Sequence, residues 1–136
     1  MRKRTQAREI ALQLLYQVDV QGDEAGETLD EAAVRLGAHE EEVRTFALDL
    51  VRGTTETRAE LDEVIAAAAQ NWKIKRMAIV DRNILRMAVY EMLHVSDIPA
   101  KVSINEAIEL GKRYSTQQSG SFINGILDRI RRERSL

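Results

Sequence analysis

The chain of 136 residues has no cysteine, one proline and two histidines. The first absence excludes disulfides, thiolate metal sites and thiol nucleophiles, and it suits a reducing compartment. The two histidines, His39 and His94, could hold a metal only with carboxylate help. His39 opens the string His39-Glu40-Glu41-Glu42-Val43, and Val43 stands where the zinc-protease motif needs its second histidine. Long apolar runs are also missing. The longest, Val64-Ile65-Ala66-Ala67-Ala68-Ala69, falls far short of the roughly 20 residues that span a bilayer. The basic start Met1-Arg2-Lys3-Arg4 looks like the head of a signal peptide, but Thr5, Gln6, Arg8, Glu9 and Gln13 deny it an apolar stretch. The expectation is one soluble cytoplasmic domain, with no membrane contact and no metal.

A net charge of −2 conceals a strong asymmetry. Residues 1–18 carry four Lys/Arg against one acid, residues 19–63 four against fourteen, and residues 64–136 twelve against seven. A local basic face, not the overall balance, decides whether a polyanion can bind. Charge alone is equally compatible with a mixed solvated surface.

Apolar spacing is helical nearly throughout. Ala7, Ile10, Ala11, Leu14, Leu15 and Val18 form one stripe, with Thr5 as a plausible N-cap. Gly22 and Gly26 break the chain. Thr28-Leu29-Asp30-Glu31 is a capping box that starts a short helix, and Gly37 is placed to end it. Acids at Glu40, Glu41 and Glu42 favour a helix N-terminus. The pattern from Val43 to Ala68 is one long helix, or two joined by a bend near Gly53. A further helix is expected over about 75–95. Its apolar positions cover more than one face, as in a central helix packed on several sides, and part of the excess could serve a protein partner. Pro99 closes that segment. Ser103-Ile104-Asn105-Glu106 is a second capping box. A polar break at residues 115–120 precedes the last helix, with Phe122, Ile123, Ile126, Leu127 and Ile130 as its stripe. No segment favours a strand. These elements predict an all-α bundle of about six to seven helices.

Catalytic motifs are missing. Gly111-Lys112 has Glu106 where a phosphate-binding loop needs its first glycine, and Arg113 where it needs Ser or Thr. Gly120-Ser121 lacks the flanks of a nucleophile elbow. The carboxylates read as solvated helix faces. Binding, without catalysis or cofactor, is the expected class. For nucleic acid the signal is the basic arm running into an amphipathic helix, with Arg8 one turn inside, placed to reach out beside Arg4. Reading single-stranded RNA also needs stacking and hydrogen-bonding groups. Phe122, Tyr16, Gln118 and Asn124 are the candidates, although periodicity alone makes core packing the plainer account of each aromatic.

Four blocks then coincide with one family. Ala7-Arg8-Glu9-Ile10-Ala11-Leu12-Gln13-Leu14-Leu15-Tyr16-Gln17, preceded by Lys3-Arg4, resembles the opening helix of the NusB transcription-antitermination family. Ile84-Leu85-Arg86-Met87-Ala88-Val89-Tyr90-Glu91-Met92-Leu93 resembles its central helix. The most specific stretch is Asp97-Ile98-Pro99-Ala100-Lys101-Val102-Ser103-Ile104-Asn105-Glu106-Ala107-Ile108-Glu109-Leu110-Gly111-Lys112. Phe122-Ile123-Asn124-Gly125-Ile126-Leu127-Asp128 completes the set, in order, over essentially the whole chain.

The resemblance implies two packed helical subdomains, at about 1–70 and 71–136. It also implies binding to the boxA element of ribosomal RNA leader transcripts and a heterodimer with NusE, a small-subunit ribosomal protein. The complex would help RNA polymerase resist termination and support ribosomal RNA synthesis. On this basis Lys3, Arg4 and Arg8 would contact phosphates and Phe122 a base. Gln118 would lie in a variable turn, and Asp81 and Arg82 would face the protein partner. Many relatives carry more arginine where this chain has Thr5 and Gln6, so a stronger dependence on NusE is expected. Two alternatives remain. One is a helical adaptor that binds protein but not RNA. The other is the NusB-like module of some ribosomal RNA cytosine methyltransferases, whose catalytic domain and cysteine the sequence to Leu136 does not supply. Monomer and homodimer are both open.

Overall fold

Residues 2–22 and 26–136 are described by the computed structural model, and among them are seven α-helices, one 3-10 turn and no strand. The helices are α1 (Lys3–Gln21), α2 (Leu29–Arg35), α3 (Glu41–Glu56), α4 (Arg58–Ala69), α5 (Ile79–His94), α6 (Ala100–Tyr114) and α7 (Gln117–Glu133). The 3-10 turn is Ile74–Arg76. Contacts divide the chain into two compact units, Met1–Glu56 and Thr57–Leu136.

In the first unit α1 packs chiefly on α3. Ala7, Ile10, Ala11, Leu14 and Leu15 are buried, as are Val43, Ala47, Leu50 and Val51 of α3. Each large aliphatic side chain so buried contributes about 1.5–3 kcal/mol. The stripe fades at Val18, which is only half-buried. Leu12, off the stripe, is buried as well. Thr5 is not the cap, since α1 begins two residues earlier behind Arg2. Thr28 does cap α2, accepting from the Glu31 amide at 3.1 Å. Gly37 follows that helix with φ +111°, a conformation that favours glycine. Gly53 continues α3, and the break before α4 falls at Thr57.

In the second unit α5 packs on α4, α6 and α7. Ile84, Leu85, Arg86, Met87, Ala88 and Val89 are buried consecutively, which is why no single face emerged from the sequence. The helix begins at Ile79, with the 3-10 turn occupying part of the segment expected to be its first turns. Polar groups on α5 reach different neighbours. The Arg86 guanidinium donates through Nε to Asp62 Oδ1 at 2.7 Å and through its second nitrogen to Oδ2 at 3.1 Å. Ser103 donates to Glu91 Oε1 at 3.0 Å. Ser103 is therefore no cap: α6 starts at Ala100, with Pro99 opening that helix rather than closing the one before.

Helices α6 and α7 pack extensively on each other. A Cβ on Gly111 would lie 2.7 Å from Ile123 Cδ1, and one on Gly120 would lie 3.3 Å from the Lys112 side chain. Gly111 and Gly120 thus permit close approach of the two helices.

Removing Asp62 leaves the Arg86 charge buried without this carboxylate, so Asp62→Ala is expected to lower stability by about 3 kcal/mol. Ser103→Ala, which takes a donor from buried Glu91, should cost about 1–3 kcal/mol. Urea denaturation at neutral pH measures both, and an unchanged midpoint in either variant contradicts the stabilising role of that polar contact.

Candidate nucleic-acid interface

The first unit assembles a mixed cluster from α1 and α3. Lys3 lies 3.1 Å from both Glu40 Oε2 and Glu42 Oε2. Hydrogen bonds to Glu42 and then to Glu40 raise the Lys3 ammonium above the usual lysine range. The Arg4 guanidinium carbon lies 4.7 Å from the centre of the Phe46 ring, and that of Arg8 lies 5.4 Å from it. One ring thus faces two cations from successive turns of α1, a favourable arrangement with the negative face of an aromatic. Arg4 is exposed, but Arg8 is only 2% exposed. A phosphate reaches Arg8 only if that side chain leaves its place by Phe46. A depression of about 530 Å³ beside these groups is lined by Lys3, Arg4, Glu42, Phe46 and Asp49. The basic arm and the acidic stretch, separate in sequence, therefore share one surface.

The second unit holds an aromatic cleft of about 230 Å³. Gln70 ends α4 with φ +46°, and the Trp72 amide then donates to the Ala69 carbonyl at 3.1 Å. This turn delivers Trp72, 56% exposed, to the cleft. Its ring meets Phe122 of α7 edge-to-face, with centroids 5.7 Å apart and planes at 80°. Phe122 is half-buried. Arg76, Asp81, Gln118 and Ser119 also line the cleft. Ser119 donates to Asp81 Oδ2 at 3.1 Å, while Asp81 Oδ1 is buried without a hydrogen-bond partner. Ser119 also accepts from the Thr116 amide at 3.3 Å, completing the capping box of α7. Gln118 is exposed and sits in the first turn of α7, not in a connecting turn.

Phe122, Gln118 and Asp81 are thus brought to one cleft, while Lys3, Arg4 and Arg8 gather in the other unit. Asp81 and Arg82, adjacent in sequence, differ in setting: Asp81 lines the cleft and Arg82 is half-buried outside its lining. Tyr16 and Asn124 are exposed. Sequence reading missed Trp72 and the pairing role of Phe46. Trp72 falls between helices, where periodicity is silent. Its signal was that the only tryptophan stands outside every stripe, followed by Lys73, Lys75 and Arg76. Phe46 fits the α3 stripe, which hid its second contact.

Elsewhere, His94 Nε2 lies 2.5 Å from Glu60 Oε1. Among the described residues there is no group of three metal-ligating side chains, and no helix is long and apolar enough to cross a membrane.

Comparison with known proteins places this architecture. The model of the NusB family matches residues 5–132. A transcription antitermination protein NusB from Desulforapulum autotrophicum is 52% identical over 132 residues, covering 96% of this chain and 92% of the relative. That of Pelotomaculum thermopropionicum is 54% identical over 130 residues, covering 93% and 88%. Among solved structures, NusB of T. maritima is 37% identical with a TM-score of 0.84, covering 96% of this chain and 91% of that one. The antitermination factor NusB, solved with NusE and double-stranded RNA, is 28% identical with a TM-score of 0.87, covering 98% of both chains. The chain belongs to the NusB family.

Proposed function

We propose that this chain is a transcription antitermination factor that binds boxA RNA of ribosomal RNA leader transcripts together with NusE. As part of the RNA polymerase antitermination complex, in the cytoplasm, it supports ribosomal RNA synthesis. The reading involves no catalysis and no cofactor, and the whole chain acts as one RNA-binding domain. The observation that carries it is the likeness, over 98% of both chains, to a NusB solved with NusE and RNA. The chain's own surfaces support it: exposed Arg4 offers a phosphate contact, and Trp72 with Phe122 offers a stacking platform.

Within this reading the positive groups divide. Arg4 is the principal phosphate contact of the arm. Lys3 contributes once phosphate competes with Glu40 and Glu42. Arg8 contributes chiefly by sharing Phe46 with Arg4. Gln118, exposed at the start of α7, hydrogen-bonds to the RNA beside Phe122. On the partner side Arg82 is the retained candidate, because Asp81 is engaged in the cleft. With Lys3 held by two carboxylates, the N-terminal arm of the free protein offers RNA less positive charge, so NusE carries more of the affinity.

Arg4→Glu should weaken boxA binding and lower the slope of log affinity against log salt by about 0.7, the share of one single-strand phosphate contact. Fluorescence anisotropy of labelled RNA across a salt series, with and without NusE, measures this. A helical adaptor that ignores RNA would be indifferent to the change. Glu42→Gln removes an acid from the same surface and loosens Lys3, so it should tighten RNA binding several-fold at low salt. An effect of the opposite sign would assign Glu42 to ordering the arm rather than competing with RNA.

A further inference from the structure

Trp72 is the only tryptophan in the chain and is more than half exposed. An edge-to-face pair covers one ring face at most, so the contact with Phe122 leaves flat indole surface open. Exposed aromatic surface beside cations is what an unpaired base stacks on. Arg76 lines the same cleft, and Lys73 and Lys75 are exposed on the adjoining segment.

A second and independent feature lies in the wall of the cleft. Asp81 is 9% exposed, its Oδ2 accepts from Ser119, and its Oδ1 has no partner. An ionised carboxylate only accepts hydrogen bonds. A buried acceptor without a donor is costly, and a ligand that brings an N–H relieves that cost. Asp81 lines the cleft, so a ligand seated there lies beside this carboxylate. Cytosine, adenine and guanine carry exocyclic amines that can donate to it. Uracil presents a carbonyl oxygen where cytosine has its amine, setting acceptor against acceptor.

We propose that this cleft binds one unpaired nucleobase bearing an exocyclic amine, stacked on Trp72 with its N–H donated to Asp81. Phe122 holds the indole in place, and Arg76 meets a flanking phosphate. The proposal rests on the RNA-binding reading and deepens it, naming the class of base that the second unit selects.

The lone tryptophan makes the test direct, because stacking of a base on Trp72 changes its emission. Wild-type protein, with NusE present, is titrated with boxA-type single-stranded RNA and with RNAs in which each amine-bearing base in turn is replaced by uracil. Binding is followed by anisotropy of labelled RNA and, in parallel, by Trp72 emission. The expected result is quenching on binding, with one replacement that abolishes the quenching and weakens binding about tenfold. Trp72→Ala should weaken binding about tenfold, whereas Trp72→Phe retains most of it. Asp81→Asn, whose amide can turn an N–H toward uracil, should erase the preference at that one position. RNA binding with unchanged emission overturns the cleft and leaves the antitermination reading standing, as does affinity unaltered by Trp72→Ala. Quenching equal for every replacement overturns the role of Asp81. No binding to any RNA overturns the functional reading and this inference with it.

Discussion

The second unit depends on a helix that is buried on nearly every side yet carries charge into the interior. Helix α5 brings Arg86 and Glu91 below 5% exposure. Such groups are tolerated only when paired and hydrogen-bonded. Arg86 meets Asp62 of α4, Glu91 meets Ser103 of α6, and Asp81 meets Ser119 of α7. Each neighbouring helix is therefore held by a polar contact of its own, besides the apolar packing. Aliphatic side chains repack with little penalty when volume is conserved, whereas a bidentate guanidinium–carboxylate pair fixes distance and direction. These contacts make one arrangement of the four helices preferable to its near relatives.

Sequence periodicity revealed the helices well and their ends poorly. The stripes of α1, α3 and α7 survive almost intact because each buries one face. The ends failed where a local signal had a rival use. Ser103 matches a capping pattern with Glu106, yet its hydroxyl is committed to Glu91 across the helix interface. Pro99 closes one helical pattern, but it also suits the entry of the next helix, where its fixed φ and missing N–H carry no penalty. Thr5 competed with Arg2, which starts α1 without any side-chain cap. In each case a tertiary partner or a neighbouring residue, invisible to a local pattern, decided the outcome.

The candidate site was legible as residue types and illegible as pairings. Lys3, Arg4 and Arg8 read as a free basic arm because the acids that meet Lys3 lie more than thirty residues away in sequence. Packing α1 on α3 brings the two charge blocks together and converts a tail of three cations into a more graded surface. Arg4 is exposed over Phe46, Lys3 is held, and Arg8 is covered. Covering Arg8 is consistent with its chemistry, because a guanidinium is weakly hydrated and stacks well on an aromatic face. A lysine at position 8 would be a poorer match for this setting.

Asp81 differs from Arg86 and Glu91, the other two buried ionisable side chains of α5, in one respect. Arg86 and Glu91 point into helix interfaces, where an unpaired atom would persist in every state of the molecule. Asp81 lines a cleft that can admit a ligand, and one of its two oxygens is buried without a partner. An unpaired buried acceptor lowers the stability of the free protein and strengthens the attraction for a donor by a related amount, since both draw on the same missing hydrogen bond. A fully satisfied carboxylate here would give a more stable α5 and an indifferent cleft. The unpaired oxygen therefore belongs functionally with Trp72: one supplies a surface that any base can stack on, and the other supplies the reason to prefer one class of base.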